Sequence, residues 1–90
     1  MKIKIKISGQ IGGNSELLRK LNSGDYSKGM FNSFYIEYQS MKEAKKAMNE
    51  AYKSLKQECR ESQVPLPSIS KDKKYLSYDA SNAEILDNNK

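Results

Sequence analysis

The sequence predicts a single α+β domain: a small antiparallel or mixed sheet of about four strands, with one long amphipathic helix packed on one face. Three observations predict this class. Lysine and isoleucine alternate near the amino terminus, residues 41–60 repeat their apolar side chains at helical spacing, and stretches rich in aromatic and aliphatic residues flank that segment. The expected order is strand, short helix, strand, long helix, strand, strand.

The length of the chain limits it to one core. Its 90 residues are 37% hydrophobic, which is too little apolar surface for two cores. We expect one domain over residues 1–86 and a disordered tail at 87–90. No apolar run exceeds three residues, so the sequence predicts no membrane span and no secretory signal, and it favours a cytoplasmic location.

The first strand is predicted at residues 2–7, where a period of two places Ile3, Ile5 and Ile7 on one face and lysines on the other. A short helix should follow, capped by Asn14 or Ser15 and ending before Gly24. Its apolar residues are Leu17, Leu18 and Leu21. The alternative for this segment is a hydrophobic loop that lies across the sheet. The glycines that precede it are interpreted as a turn, because they lack the Gly-Lys-Ser/Thr ending of a P-loop.

The second strand is predicted at residues 31–39, with Phe34, Ile36 and Tyr38 facing inward. The long helix is predicted from Met41 to Arg60. Ser40 and Glu43 have the spacing of a capping box at its start, and the prolines at 65 and 67 prevent its continuation.

A hairpin around residues 72 and 73 is predicted after the prolines, with strands at 68–71 and 74–79. Its inward residues would be Ile69, Leu76 and Tyr78. Ser81 and Glu84 then resemble a second capping box, which predicts one last helical turn containing Ile85 and Leu86.

The long helix has three different sides on a helical wheel. Its apolar stripe consists of Met41, Ala44, Met48, Ala51, Tyr52, Leu55 and Cys59. Its cations gather on one flank, which we call the basic flank: Lys42, Lys45, Lys46, Lys53, Lys56 and Arg60. The other flank carries Glu43, Glu50, Glu58 and Glu61. Six cations on one flank repel one another, so the pattern indicates a surface for phosphates or for an acidic protein. The alternative is a solvated face with a charge bias.

The uncovered face of the sheet is a second candidate surface. It would carry Lys2, Lys4, Lys6, Tyr35 and Tyr75. Lysines between tyrosines can pair with phosphates and stack on bases, as in proteins that bind single strands. The alternative is a wet outer face whose lysines discourage aggregation.

A local resemblance to a known family lies in the middle of the chain. Residues 27–29, 34–38, 40–44 and 47–48 resemble the third strand and second helix of an RNA-recognition motif, and the resemblance implies RNA binding. Residues 30–33 interrupt the aromatic signature, the first strand lacks a stacking aromatic, and few residues precede Phe31 for a second strand. The same strand-then-helix pattern occurs in unrelated small domains, so it does not assign the family.

The composition argues against catalysis. The chain has no histidine, one cysteine and no paired carboxylates, so we expect no enzyme activity, no metal site and no cofactor. Its net charge of +5 favours acidic partners. The first hypothesis is a small basic module that binds RNA, DNA or a nucleoprotein complex through the basic flank. The second is a protein-binding inhibitor of a host nuclease, including CRISPR-type effectors, encoded by a phage or mobile element, or an adaptor with an acidic protein partner. The third is a regulatory or structural domain without a polyanion partner.

Overall fold

The computed structural model describes residues 3–9, 11–21, 26–29, 33–62 and 66–86, apart from the side chains of 11–14 and 60–62. Lys2 and the predicted tail at 87–90 lie outside this part of the chain. The helices and strands are β1 (Ile3–Gly9), α1 (Ile11–Leu21), β2 (Tyr26–Lys28), β3 (Phe34–Tyr38), α2 (Met41–Ser62), β4 (Ser68–Ile69), β5 (Tyr75–Tyr78) and β6 (Ser81–Leu86).

The strands form one antiparallel sheet in the order β2-β3-β1-β6-β5-β4. The α+β class is confirmed, and the described sheet has six strands instead of the predicted four. Without the β4–β5 hairpin, the elements follow the β-α-β-β-α-β order of ferredoxin-like folds. In this arrangement β1 lies in the middle of the sheet, between β3 and β6.

Alternating side chains in the central strands build one face of the core. Ile5 of β1 lies opposite Ile36 of β3 on one side and Ile85 of β6 on the other, and all three are buried. Because side chains in a strand point alternately to either face, the lysines of β1 point away from the core. The Lys-Ile alternation therefore specifies both faces of the sheet.

Both helices contact the sheet and each other, and they cover the same face. The predicted apolar stripe of α2 packs into the core: Ala44, Met48, Ala51, Leu55 and Cys59 are buried, and Met41 and Tyr52 are partly buried. From α1, Leu17 and Leu21 join the same core. The hydroxyl of Tyr38 donates a hydrogen bond to the carbonyl of Leu21, which joins the end of α1 to β3.

The prediction of a final helical turn is wrong, because residues 81–86 form strand β6. The Ser81 hydroxyl donates to the carbonyl of Tyr78, 2.8 Å away. Ala83 and Ile85 alternate with a period of two and face the core beside β1, which explains why this segment is a strand. The spacing of Ser81 and Glu84 matched a capping box, but no helix begins there.

Two further predictions need correction. Helix α1 is present and the alternative loop is wrong, but the helix begins at Ile11, so Asn14 and Ser15 lie inside it and do not cap it. Strand β2 was not predicted, because its three residues are all exposed and show no apolar alternation. Strand β2 lies between α1 and β3, in the short stretch before Phe31 where few residues were available for a strand.

The predicted hairpin is confirmed with shorter strands. Leu76 is buried, and Ile69 and Tyr78 pack against the core, as predicted. The Ser70 hydroxyl organises the turn: it donates to the Asp72 carboxylate (2.6 Å) and accepts from the amide of Lys74 (3.1 Å). The positive φ of Lys73, 64°, is the conformation that such a tight turn requires.

Candidate functional site

The basic flank of α2 is largely exposed to solvent. Its described side chains are Lys42, Lys45, Lys46, Lys53 and Lys56; Lys42, Lys46 and Lys53 are exposed, and the other two are half-buried. Among the described side chains, none of these five ammonium groups forms a salt bridge within 4.0 Å. The helix continues through Arg60, but the side chain of that residue lies outside the described part. Within the described residues, the flank therefore presents positive charge without compensation by a salt bridge.

The opposite flank of α2 contacts α1. The ammonium of Lys20 donates to the Glu58 carboxylate and to the Ser54 hydroxyl, the latter at 2.7 Å. Arg19 lies 3.9 Å from Glu58 and pairs more closely with Glu16, at 2.7 Å. The hydrogen bond from Lys20 is the main reason why the pKa of Glu58 is lowered. Helix α1 thus engages part of the acidic flank of α2.

The β4–β5 turn extends the basic flank. The pKa of Asp72 in this turn is lowered, first by the hydrogen bond from Ser70 and then by the Lys74 amide, with smaller contributions from the charges of Lys74 and Lys45. Helix α2 contacts both β4 and β5, and the charge of Lys45 acts on Asp72, so this part of the flank lies near the turn. The turn adds three lysines: Lys71, Lys73 and Lys74. They were not among the site residues predicted from the sequence, although their clustering in a predicted turn was a visible signal.

On each candidate surface, one lysine ammonium lies over a tyrosine ring. On α2, the Lys56 ammonium lies 5.7 Å from the centroid of the Tyr52 ring. On the sheet, the Lys4 ammonium lies 6.0 Å from the centroid of the Tyr35 ring. These are weak cation–π contacts, which direct a lysine without neutralising it.

The uncovered face of the sheet, which we call the open face, brings together four of the residues predicted there. Lys4 and Lys6 of β1 share this face with Tyr35 of β3 and Tyr75 of β5. Tyr35 also borders a shallow hollow of about 250 Å³ at the edge of the sheet. Its lining residues are Tyr26, Ser27, Tyr35 and Glu37.

Two carboxylates on the open face, Glu37 and Glu84, were not among the predicted site residues, although the strand pattern predicted Glu37 on the same face as Tyr35. Glu37 is the cross-strand neighbour of Lys4, and Glu84 is the cross-strand neighbour of Lys6. Glu84 could not be placed, because residues 81–86 were predicted to be helical. Each described lysine of this face therefore has a carboxylate beside it, and the face is mixed in charge.

The basic flank also has carboxylates near it: Glu43 and Glu50 lie one turn from its lysines on α2, and Asp72 lies near Lys45. Among the described residues, none of them forms a salt bridge with a flank lysine.

The two candidate surfaces lie on different layers of the molecule. Helix α2 packs on the core face of the sheet, whereas Lys4, Lys6 and Tyr35 point to the opposite face. The predicted site residues therefore form two surfaces.

Neither described helix is both long enough and apolar enough to cross a membrane. Within the described ranges, no three Asp, Glu or Cys side chains are grouped closely enough to hold a metal ion. In the comparisons with known proteins, no family model, no curated protein and no solved structure matches the chain.

Proposed function

We propose that the protein is a non-enzymatic module that binds nucleic acid through the basic flank of α2, extended by the lysines of the β4–β5 turn. The observation that carries this proposal is the absence of salt bridges to the five described lysines of the flank, within the part of the chain that the structure describes. Lysines that serve only solubility gain from mixing with acidic side chains on the same helix. Here the two signs are segregated.

The spacing of the lysines fits a phosphate backbone. Lys42 and Lys56 are separated by about 21 Å along the helix at 1.5 Å per residue. Over that length, duplex DNA carries about one negative charge per 1.7 Å of its axis. Each lysine acts as a flexible point charge and reads no base edge. The proposed binding is therefore strong at low salt and largely independent of sequence.

A salt titration tests the proposal. Labelled single-stranded and duplex oligonucleotides are titrated with the protein by fluorescence anisotropy between about 50 and 200 mM salt, where phosphate contacts weaken steeply. We expect the logarithm of the association constant to fall linearly with the logarithm of the salt concentration. Replacing Lys46 and Lys53 with alanine should reduce that slope by about 1 for each phosphate that is no longer neutralised.

Lys28→Ala provides the matched control. Lys28 is an exposed lysine on β2, at the opposite edge of the sheet from β4. Its replacement removes the same charge and should leave the slope unchanged. Absence of binding at 50 mM salt, or equal effects of all three substitutions, would refute a role for the basic flank.

An acidic protein surface is the competing partner for the same flank. Purification of the tagged protein from its host, with and without nuclease treatment, separates the two partners. A complex that dissolves on nuclease treatment supports nucleic acid. A defined acidic protein that remains bound, and that loses binding with the Lys46 and Lys53 substitutions, supports the inhibitor or adaptor hypothesis instead.

A further inference from the structure

The open face carries a charge pattern that complements itself. Tyr35, Lys6, Glu84 and Tyr75 lie side by side in one row across β3, β1, β6 and β5. The midline of the six-stranded sheet runs between β1 and β6. On one side of this midline the row reads lysine then tyrosine, and on the other side it reads glutamate then tyrosine.

We propose that the open face docks on the open face of a second copy of this chain, with a two-fold axis along the midline. A rotation of 180° about that axis places β1 of one copy over β6 of the other. Lys6 of each copy then meets Glu84 of the other copy, and Tyr35 meets Tyr75. Such an interface is isologous, because the same patch is used on both copies.

The charges select this axis over the other two-fold axis that lies in the plane of the interface. An axis across the strands would place β1 over β1, so that Lys6 faces a lysine and Glu84 faces a glutamate. Like charges brought together in an interface repel one another and disfavour that arrangement. The axis along the strands converts both repulsions into attractions.

The neighbouring rows fit the same axis. Lys4 pairs with Leu86 within its own sheet, and Ser8 pairs with Asn82. In the docked pair, the aliphatic stem of Lys4 would lie on Leu86 of the second copy, and Ser8 would meet Asn82. No row places two like charges opposite each other across the β1–β6 midline.

The aromatic side chains give the face an apolar contribution. Tyr75 is 54% exposed, although it lies inside the sheet on β5. Tyrosine is enriched at protein interfaces because its ring is apolar and its hydroxyl remains satisfied by water or a partner. Contact between Tyr75 and Tyr35 of the second copy would remove this ring from water.

The size of the face predicts a weak dimer. Six strands about 4.8 Å apart span about 29 Å, and the three rows span about 17 Å along the strands. The face therefore offers about 500 Å² per copy, or about 1,000 Å² in total, at the lower limit of specific interfaces. The dimer should form only at high protein concentration. It leaves the basic flank of α2 exposed on both outer sides, so the inference does not rest on the proposed function.

Charge reversal tests the inference. The oligomeric state of the full chain is followed by sedimentation velocity from about 10 µM to 1 mM, a range that brackets the dissociation constant of a weak complex. The wild type should shift from monomer to dimer. Lys6→Glu and Glu84→Lys should each weaken self-association by at least about tenfold. An equimolar mixture of the two variants should dimerise again, because each variant then meets its opposite charge.

The mixture separates docking from misfolding. Residues 6 and 84 are also neighbours within one sheet, so a single reversal could disturb the fold. Mixing cannot repair a defect within one chain, whereas it does restore a contact between chains. Thermal unfolding of each variant checks that it is folded.

Three results would overturn the inference: a wild type that stays monomeric to 1 mM, single variants that dimerise as well as the wild type, or a mixture that stays monomeric. A fourth is an oligonucleotide that perturbs the NMR signals of Lys6 and Tyr35 while the chain remains a monomer. That result would assign the open face to nucleic acid. The Lys46 and Lys53 substitutions should not change the dimer, so failure of this inference and failure of the proposed function are distinguishable.

Discussion

The side chain of Lys20 joins α1 to α2 by donating to Glu58, and it is almost enclosed there, with 12% of the side chain exposed. The same ammonium donates to the Ser54 hydroxyl one turn earlier on α2. This contact gives a reason for the acidic side chain on one flank of α2: that flank faces the cationic side chains at the end of α1. Within the described part of the chain, no carboxylate forms a salt bridge with a lysine of the basic flank.

The Lys20–Glu58 pair predicts a pH-dependent stability. The folded-state pKa of Glu58 is lowered, chiefly by the hydrogen bond from Lys20, so its contribution is present above the unfolded pKa of about 4.3 and is lost as the pH falls through the folded pKa. Glu58→Gln should lower the melting temperature at pH 7, and the difference from wild type should shrink below about pH 4. Thermal unfolding by circular dichroism between pH 3 and pH 7 measures this.

Glu50→Gln is the matched control, because Glu50 is an exposed carboxylate on the same helix without a salt bridge to any described residue. It should leave the melting temperature nearly unchanged at pH 7. A Glu58→Gln variant as stable as wild type at pH 7 would contradict the importance of the pair.

Gly9 should not tolerate a side chain. Its φ of 118° is unfavourable for other residues, and an added Cβ would lie 2.4 Å from the Cα of Ser81 and 2.5 Å from the carbonyl oxygen of Ala80. The first belongs to the start of the neighbouring β6 and the second to the turn immediately before it, so neither backbone atom can move without disturbing the sheet. We expect Gly9→Ala to lower the free energy of unfolding by about 2–5 kcal/mol, measured by urea denaturation.

Ser8→Ala controls for a change at the same end of β1. The Ser8 side chain points to the open face, so its replacement should lower the free energy of unfolding by less than about 0.5 kcal/mol. Equal stability of the two variants would show that the approach of Gly9 to Ser81 is not a constraint in solution.

Helices and strands whose apolar side chains repeat regularly over several residues could be predicted from the sequence. The alternation around Ile5 and the helical repeat from Met41 onward each extend over several residues, so they specify both the element and its buried face. Strand β6 could not be predicted in this way. Its strand conformation comes from pairing with β1, more than 70 positions earlier in the chain, and a short capping-like pattern at Ser81 hid its alternation.

The candidate surfaces were predicted only in part, for a related reason. The basic flank follows from the helical wheel alone, so its residues could be named. The charge balance of the open face depends on which strands are neighbours, and Glu84 reaches Lys6 only through the pairing of β6 with β1. Local sequence does not contain that information.

The position of the Tyr35 ring should depend on the absence of a side chain at Gly29. A Cβ at Gly29 would lie 2.6 Å from Cε2 of the Tyr35 ring. The ring is the far end of a side chain that can rotate, so we expect Gly29→Ala to fold, at a cost of about 1 kcal/mol, with the ring displaced. The α-proton signals of Gly29 should be shifted by the ring current in wild type, and this shift should disappear in Tyr35→Leu. Unchanged Gly29 signals in Tyr35→Leu would contradict the contact.

The start of α2 should be sensitive to its cap. The amide of Glu43 donates to the Ser40 hydroxyl at 3.2 Å, and the amide of Ala44 donates to the Ser40 carbonyl at 3.0 Å, so Ser40 satisfies two amides of the first turn. Ser40→Ala removes only the side-chain acceptor and should cost about 1 kcal/mol, or about 4–8 °C in melting temperature for a domain of this size. Ser40→Asp keeps an acceptor and adds a negative charge at the positive end of the helix, so it should be at least as stable as wild type. Thermal unfolding of the three proteins measures both effects. If the alanine and aspartate variants melt at the same temperature, the hydroxyl of Ser40 does not cap α2.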